Sequence, residues 1–116
     1  MKVDQRGSSS IALYEGGVIQ SAQDFMDLLG DLWGEDCHKI AFDKADFSDE
    51  FYDLKIGLLG EILQKSTTYS IQLAIVGDFS MYKGRALGDF IVESNRGMQC
   101  RFAPDRDAAL DRLHEI

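Results

Sequence analysis

The sequence holds one proline, two cysteines and two histidines, and nowhere a cluster of lysine or arginine. Each scarcity excludes something. Cys37 and Cys100 lie far apart, and Met1 to Ser10 is polar with no hydrophobic segment of a secretory signal. Free thiols in a cytoplasmic setting are therefore expected, not a disulfide framework. Cys37, His38, Cys100 and His114 reach the ligand number of a structural zinc site but lack its close pairs, C-x2-C and H-x3-H, so no metal is expected. Two isolated histidines supply no triad, and a G-x-S-x-G elbow is missing. Gly77-Asp78-Phe79-Ser80-Met81-Tyr82-Lys83-Gly84 lacks the G-x4-G-K-[ST] order of a phosphate loop. No catalytic residue and no cofactor are assigned. No apolar run approaches the roughly 18 residues that span a bilayer. Twelve basic against twenty acidic residues leave a net charge of −8, which argues against nucleic acid and anionic membranes as partners.

What the chain does have is a core. Its 116 residues are 45% apolar, enough for one domain that buries roughly two-thirds of its unfolded surface. Residues 1–9 are polar and read as a flexible arm, leaving 10–116 as a single domain.

From Ser10 to Glu15 the residues alternate, Gly16-Gly17 reads as a tight turn, and Val18-Ile19-Gln20 returns, which predicts a hairpin. Ser21 caps a helix carrying Phe25, Leu28, Leu29, Leu32 and Trp33 on one stripe. Lys39 to Asp43 is a short strand. Ser48, followed by Asp49 and Glu50, opens a long helix to about Lys65, with Phe51, Leu54, Leu58 and Ile62 as its central stripe. Ile71 to Val76 is almost wholly apolar, as in a strand covered on both faces. A helix over 84–95, a strand over 98–102 and a terminal helix capped by Asp105 complete the chain. The order β-β-α-β-α-β-α-β-α predicts an α/β fold: a mostly parallel sheet of about five strands with an N-terminal hairpin and helices packed on it.

Two stretches resemble a bacterial family known as domain of unknown function 4180. They are Phe51-Tyr52-Asp53-Leu54-Lys55-Ile56-Gly57-Leu58-Leu59-Gly60-Glu61-Ile62-Leu63-Gln64-Lys65, and Ala74-Ile75-Val76-Gly77-Asp78-Phe79-Ser80 followed by Asp89-Phe90-Ile91-Val92-Glu93-Ser94-Asn95-Arg96-Gly97. The likeness runs from about Ile11 to Leu113, and it implies no activity, since that family is uncharacterised. The order of elements is also similar to the STAS, or anti-sigma-factor-antagonist, domain. That fold carries an Asp-Ser-Ser-Gly type phosphorylation turn where this chain reads Asp53-Leu54-Lys55-Ile56-Gly57, without a serine. Ser48 is the nearest hydroxyl and a candidate phosphosite, while Ser80, at a later helix entry, serves equally well as a phosphate acceptor or a cap.

In parallel sheets ligands favour the carboxyl ends of the strands. Asp43 and Asp46, Asp78 and Ser80 are expected on that rim, where carboxylates serve as cation ligands or a general base, or simply as turn and cap residues. Lys55 falls only about 40° from Phe51 on a helical wheel, inside the apolar arc and near the rim, where it pairs with a ligand phosphate or carboxylate, locks the helix to the rim by an ion pair, or snorkels to solvent. Asp43, Lys55, Asp78 and Ser80 are thus the candidate ligand site. Asp53, Gly57, Gly60, Glu61 and Gln64 share the opposite face of the same helix, and outward glycines suit close approach by a partner or by a neighbouring loop or helix of the same chain. Two functions follow: a non-enzymatic regulatory or interaction module that binds another protein or a second copy of itself, or a small-molecule-binding or metal-dependent enzyme using the rim.

Overall fold

A computed structural model describes residues 2–6, 9–34, 38–82, 84–97 and 99–114. Its five strands are β1 (Lys2–Arg6), β2 (Ser9–Leu13), β3 (Lys39–Asp43), β4 (Gln72–Val76) and β5 (Cys100–Ala103). They lie in the order β1-β2-β3-β4-β5, with β1 antiparallel to β2 and every later pairing parallel. Four helices connect and close them: α1 (Ala22–Gly34), α2 (Leu58–Thr68), α3 (Ala86–Arg96) and α4 (Arg106–His114). Among the described residues no helix is long and apolar enough to cross a membrane. The expected α/β class and order of elements are present, and an N-terminal hairpin is formed by other residues than those expected.

Alternation along the strands sorts the core into two layers. Ala12, Ile40, Phe42, Leu73, Ile75 and Phe102 turn toward one face, where Phe25 and Leu29 of α1, Leu59 and Ile62 of α2 and Leu87 of α3 cover them. Ile11, Ala41, Ala74 and Ala103 turn to the other, beneath Ala109, Leu110 and Leu113 of α4. Ala41 and Ala74 are direct partners across β3 and β4, and their small side chains let α4 lie close on the sheet. β4 sits between β3 and β5, as its apolar run predicts. Asp105 caps α4 as expected, its Oδ1 accepting the Ala108 N–H at 2.8 Å.

Three local expectations are corrected. The hairpin joins β1 to β2, pairing Lys2 with Leu13 and Arg6 with Ser9, so residues 2–6 are an edge strand and not an arm. Gly16-Gly17 therefore closes no hairpin. There the Tyr14 hydroxyl donates to the Gly17 carbonyl at 2.7 Å, and Ile19 goes on to a single parallel bridge with Phe47. Burial of Ile19 drives that path, because it inserts the side chain among the core residues under α1.

The helix expected over Ser48–Lys65 is the third correction. It is a short 3-10 turn over Asp49–Tyr52, then a loop, then α2. Asp53 Oδ1 accepts the Lys55 N–H at 3.1 Å, an Asx turn that competes with helix, and Gly57 has φ +85°. Phe51 and Ile62 are both fully buried by the two separate pieces, so their spacing never needed one continuous helix.

Candidate functional site

The loops after β3 and β4 meet at the carboxyl rim through Lys44. This residue leaves β3 directly and begins a 3-10 turn over Lys44–Asp46. Its ammonium donates to the Asp78 carbonyl at 3.0 Å and stands 5.3 Å from the centre of the Phe79 ring and 5.1 Å from that of Tyr82. Its own carbonyl accepts the Tyr52 hydroxyl at 2.6 Å. A Cβ placed on Gly77 would come within 2.7 Å of Lys44 Cβ, so glycine is what lets the two loops close together.

Beneath the rim runs a row of rings. Phe42 meets Phe47 at 4.8 Å, Phe47 stacks on Phe51 at 4.0 Å, and Phe51 meets Tyr52 edge-on at 4.9 Å. Tyr52 continues to Tyr82 at 6.3 Å, and Phe79 meets Phe102 edge-on at 5.1 Å. Burial raises the Tyr52 phenol well above its ordinary pKa, and the neighbouring Tyr82 and Asp46 add to the effect.

The carboxylates are occupied locally. Asp46 Oδ2 accepts the Asp43 N–H at 2.7 Å, while partial burial raises the Asp46 carboxyl above its usual range against that bond. Asp78 Oδ1 accepts the Ser80 N–H at 3.0 Å, and the Ser80 backbone and hydroxyl together hold the Asp78 carboxyl below its usual range. Among the described residues no group of three or more His, Cys, Asp and Glu is placed to share a metal ion. The strand order never reverses, so the rim has no switch-point crevice of the doubly wound kind.

The expected ligand site does not assemble as one cluster. Asp78 and Ser80 stay together and line a groove against α3. Asp43 lines a small crevice with Leu13, Tyr14 and Arg106. Lys55 is exposed in the loop before α2 and lines a third hollow with Tyr82 and Arg85, because the break at Asp53–Gly57 takes it out of the apolar arc. The Ser48 hydroxyl caps nothing and is buried without a hydrogen-bond partner, although its residue lines a hollow at the rim. The expected contact face shrinks to the exposed Gly60, Glu61 and Gln64 on α2, since Asp53 and Gly57 precede that helix.

The sequence reading missed Lys44, Val18 and Met81. They line one hollow of about 660 Å³ together with Tyr52 and Tyr82. Val18 is 50% and Met81 63% exposed, large apolar side chains left bare at the rim. The available signal was position: Lys44 follows β3 at its carboxyl end, and Met81 lies between two aromatic residues of the next rim loop. Cys100 is a buried free thiol, as expected of its strand, whereas Cys37 and the side chain of His114 lie outside the described residues.

No curated protein and no solved structure matches the chain, so the STAS likeness rests on the order of elements alone. One family does match. The model of the family described as Domain of unknown function (DUF4180) covers residues 9–113, and the chain belongs to that family.

Proposed function

We propose that this member of the family is a cytoplasmic, non-enzymatic regulatory module that binds a basic, apolar segment of a partner protein in the Lys44 hollow. The exposure of Val18 and Met81 in one hollow carries the reading, because burying each would add favourable area on contact. Tyr52 and Tyr82 give that surface rigid aromatic walls of the kind enriched at interfaces. Asp49 lines the same hollow, Asp46 and Glu50 flank it in sequence, and the whole chain carries −8, so a basic partner is favoured. A second copy carries the same −8 and is disfavoured by it. The exposed face of Gly60, Glu61 and Gln64 offers the partner a secondary contact.

Selection from a phage-displayed random peptide library tests this. Enriched peptides should combine Arg or Lys with an aliphatic or aromatic anchor and should bind less tightly as salt rises. Met81→Ser and Val18→Ser, which remove the apolar side chain without adding charge, should each weaken them about tenfold while leaving the melting temperature in place. Acidic winners, or binding that ignores both substitutions, would refute the reading.

A further inference from the structure

A second concavity shares no residue with the Lys44 hollow. It lies between the Gly77–Ser80 loop, the end of β5 and α3, with a volume of about 480 Å³. Such a volume suits a small organic molecule. Phe79, Ile91, Val92 and Phe102 supply apolar walls. Val92 is 54% exposed, a bare valine facing a cleft and not a neighbouring element.

Gly88 sharpens the point. It lies inside α3, where glycine is the least favourable ordinary residue after proline, and it shares a helix edge with Ile91 and Val92 at i, i+3 and i+4. Gly88 itself lines the groove. The helix therefore gives up both intrinsic propensity and apolar burial along the one edge that lines the groove.

The groove has one charged group among its described lining residues, Asp78. Its carboxylate is held in place before any ligand arrives, by the Ser80 N–H on Oδ1 and by the Ser80 hydroxyl. The Lys44 ammonium bonds the Asp78 backbone carbonyl and acts on its carboxylate, but it is not among the residues that line the groove.

We propose that this groove binds a small organic amine, its aromatic or branched aliphatic body between Phe79, Ile91, Val92 and Phe102 and its ammonium on the Asp78 carboxylate. Apolar walls select the body, and the single fixed carboxylate selects the cation over a neutral or anionic analogue of the same shape. The site is separate from the peptide-binding hollow and stands or falls independently of it.

Three probes of one shape test the assignment on the full chain: 2-phenylethylamine, 2-phenylethanol and 3-phenylpropanoate, followed by amide chemical-shift mapping. The amine should bind tightest and shift Gly88, Val92 and Phe102. Asp78→Asn should weaken the amine about tenfold, to the level of the alcohol. Gly88→Leu should abolish binding of amine and alcohol alike. Val92→Lys, at an exposed position, should repel the amine and retain the alcohol, so the result does not depend on Gly88→Leu folding well. Val18→Ser should leave all three unchanged, which separates this site from the peptide hollow. Equal binding of amine and alcohol by the native chain, shifts mapping elsewhere, or no binding of any probe would overturn the proposal.

Discussion

Gly57 and Gly60 lie three residues apart, and replacing each by alanine should move stability in opposite directions. Gly57 precedes α2 at φ +85°, where an L-residue costs about 1–2 kcal/mol through Cβ crowding against its own carbonyl. Alanine also stiffens the unfolded chain by about 0.4–1 kcal/mol, which offsets part of that strain. Gly57→Ala should therefore destabilise by about 1 kcal/mol, although no atom outside its chain neighbours lies within 4 Å of the added Cβ. The expectation from a continuous helix was the reverse, since there any side chain at this position would have improved propensity. Gly60 is inside α2, and its added Cβ also meets nothing within 4 Å. Gly60→Ala should stabilise by up to about 1 kcal/mol. The pair should thus be separated by about 2 kcal/mol, or roughly 6–12 °C in melting temperature for a domain of this size. Urea titration with unchanged slope, supported by calorimetry, reads both. If the two substitutions shift the midpoint the same way, the break between Tyr52 and Leu58 is wrong and the continuous helix returns.

Ser66 is fully buried, donates to the Leu63 carbonyl at 2.8 Å and accepts from Gln99 Nε2 at 2.7 Å, so Ser66→Ala should cost about 1–2 kcal/mol in urea titration. Burial pushes the Cys100 thiol up to about 12, so in a Cys37→Ser chain it should resist a disulfide reagent at pH 8 until denaturant is added. The folded state holds the Tyr52 proton more tightly than the unfolded chain does. The resulting stability is complete below the ordinary value of 10.0 and is lost as pH rises above it, a slope that Tyr52→Phe should flatten in thermal melts. Lys44→Met keeps the stem but deletes the ammonium over Phe79 and Tyr82, and should cost about 1–2 kcal/mol by the same melts.

Elements whose signals are local were legible. The Asp105 cap and the spacing of Ala109, Leu110 and Leu113 specify α4 without reference to anything distant. The apolar run of β4 declares a strand with neighbours on both sides. The first strand was hidden because an edge strand needs no apolar alternation, and Lys2, Asp4 and Arg6 suit an edge that must not aggregate. With that strand unseen, Gly16-Gly17 became the obvious turn. The break before α2 was hidden for another reason. Periodicity reports which residues are buried, and Phe51, Leu58 and Ile62 are buried equally well by two pieces as by one. Only Gly57, read as a demand for positive φ, carried the information.

The candidate site was less legible than the fold, and Lys44 shows why. A lysine after a strand reads as a solvated charge, and nothing within a few residues of it says otherwise. Its role comes from Asp78 and Tyr82, more than thirty positions away, and from Gly77, whose missing Cβ admits the Lys44 stem. Parallel pairing of β3 with β4 places Asp43 opposite Val76, so the residues that follow each strand must emerge side by side. Register, not local chemistry, brings Lys44 to Gly77 and Asp78. The same register brings Met81 to Val18: Ile19 donates its N–H to the Asp46 carbonyl at 2.7 Å, which ties the segment after β2 to the loop that Lys44 begins. The exposed apolar pair at the rim is therefore a consequence of how the segments after β2, β3 and β4 are tied together, and a site of this kind becomes readable only when the strand pairing is known.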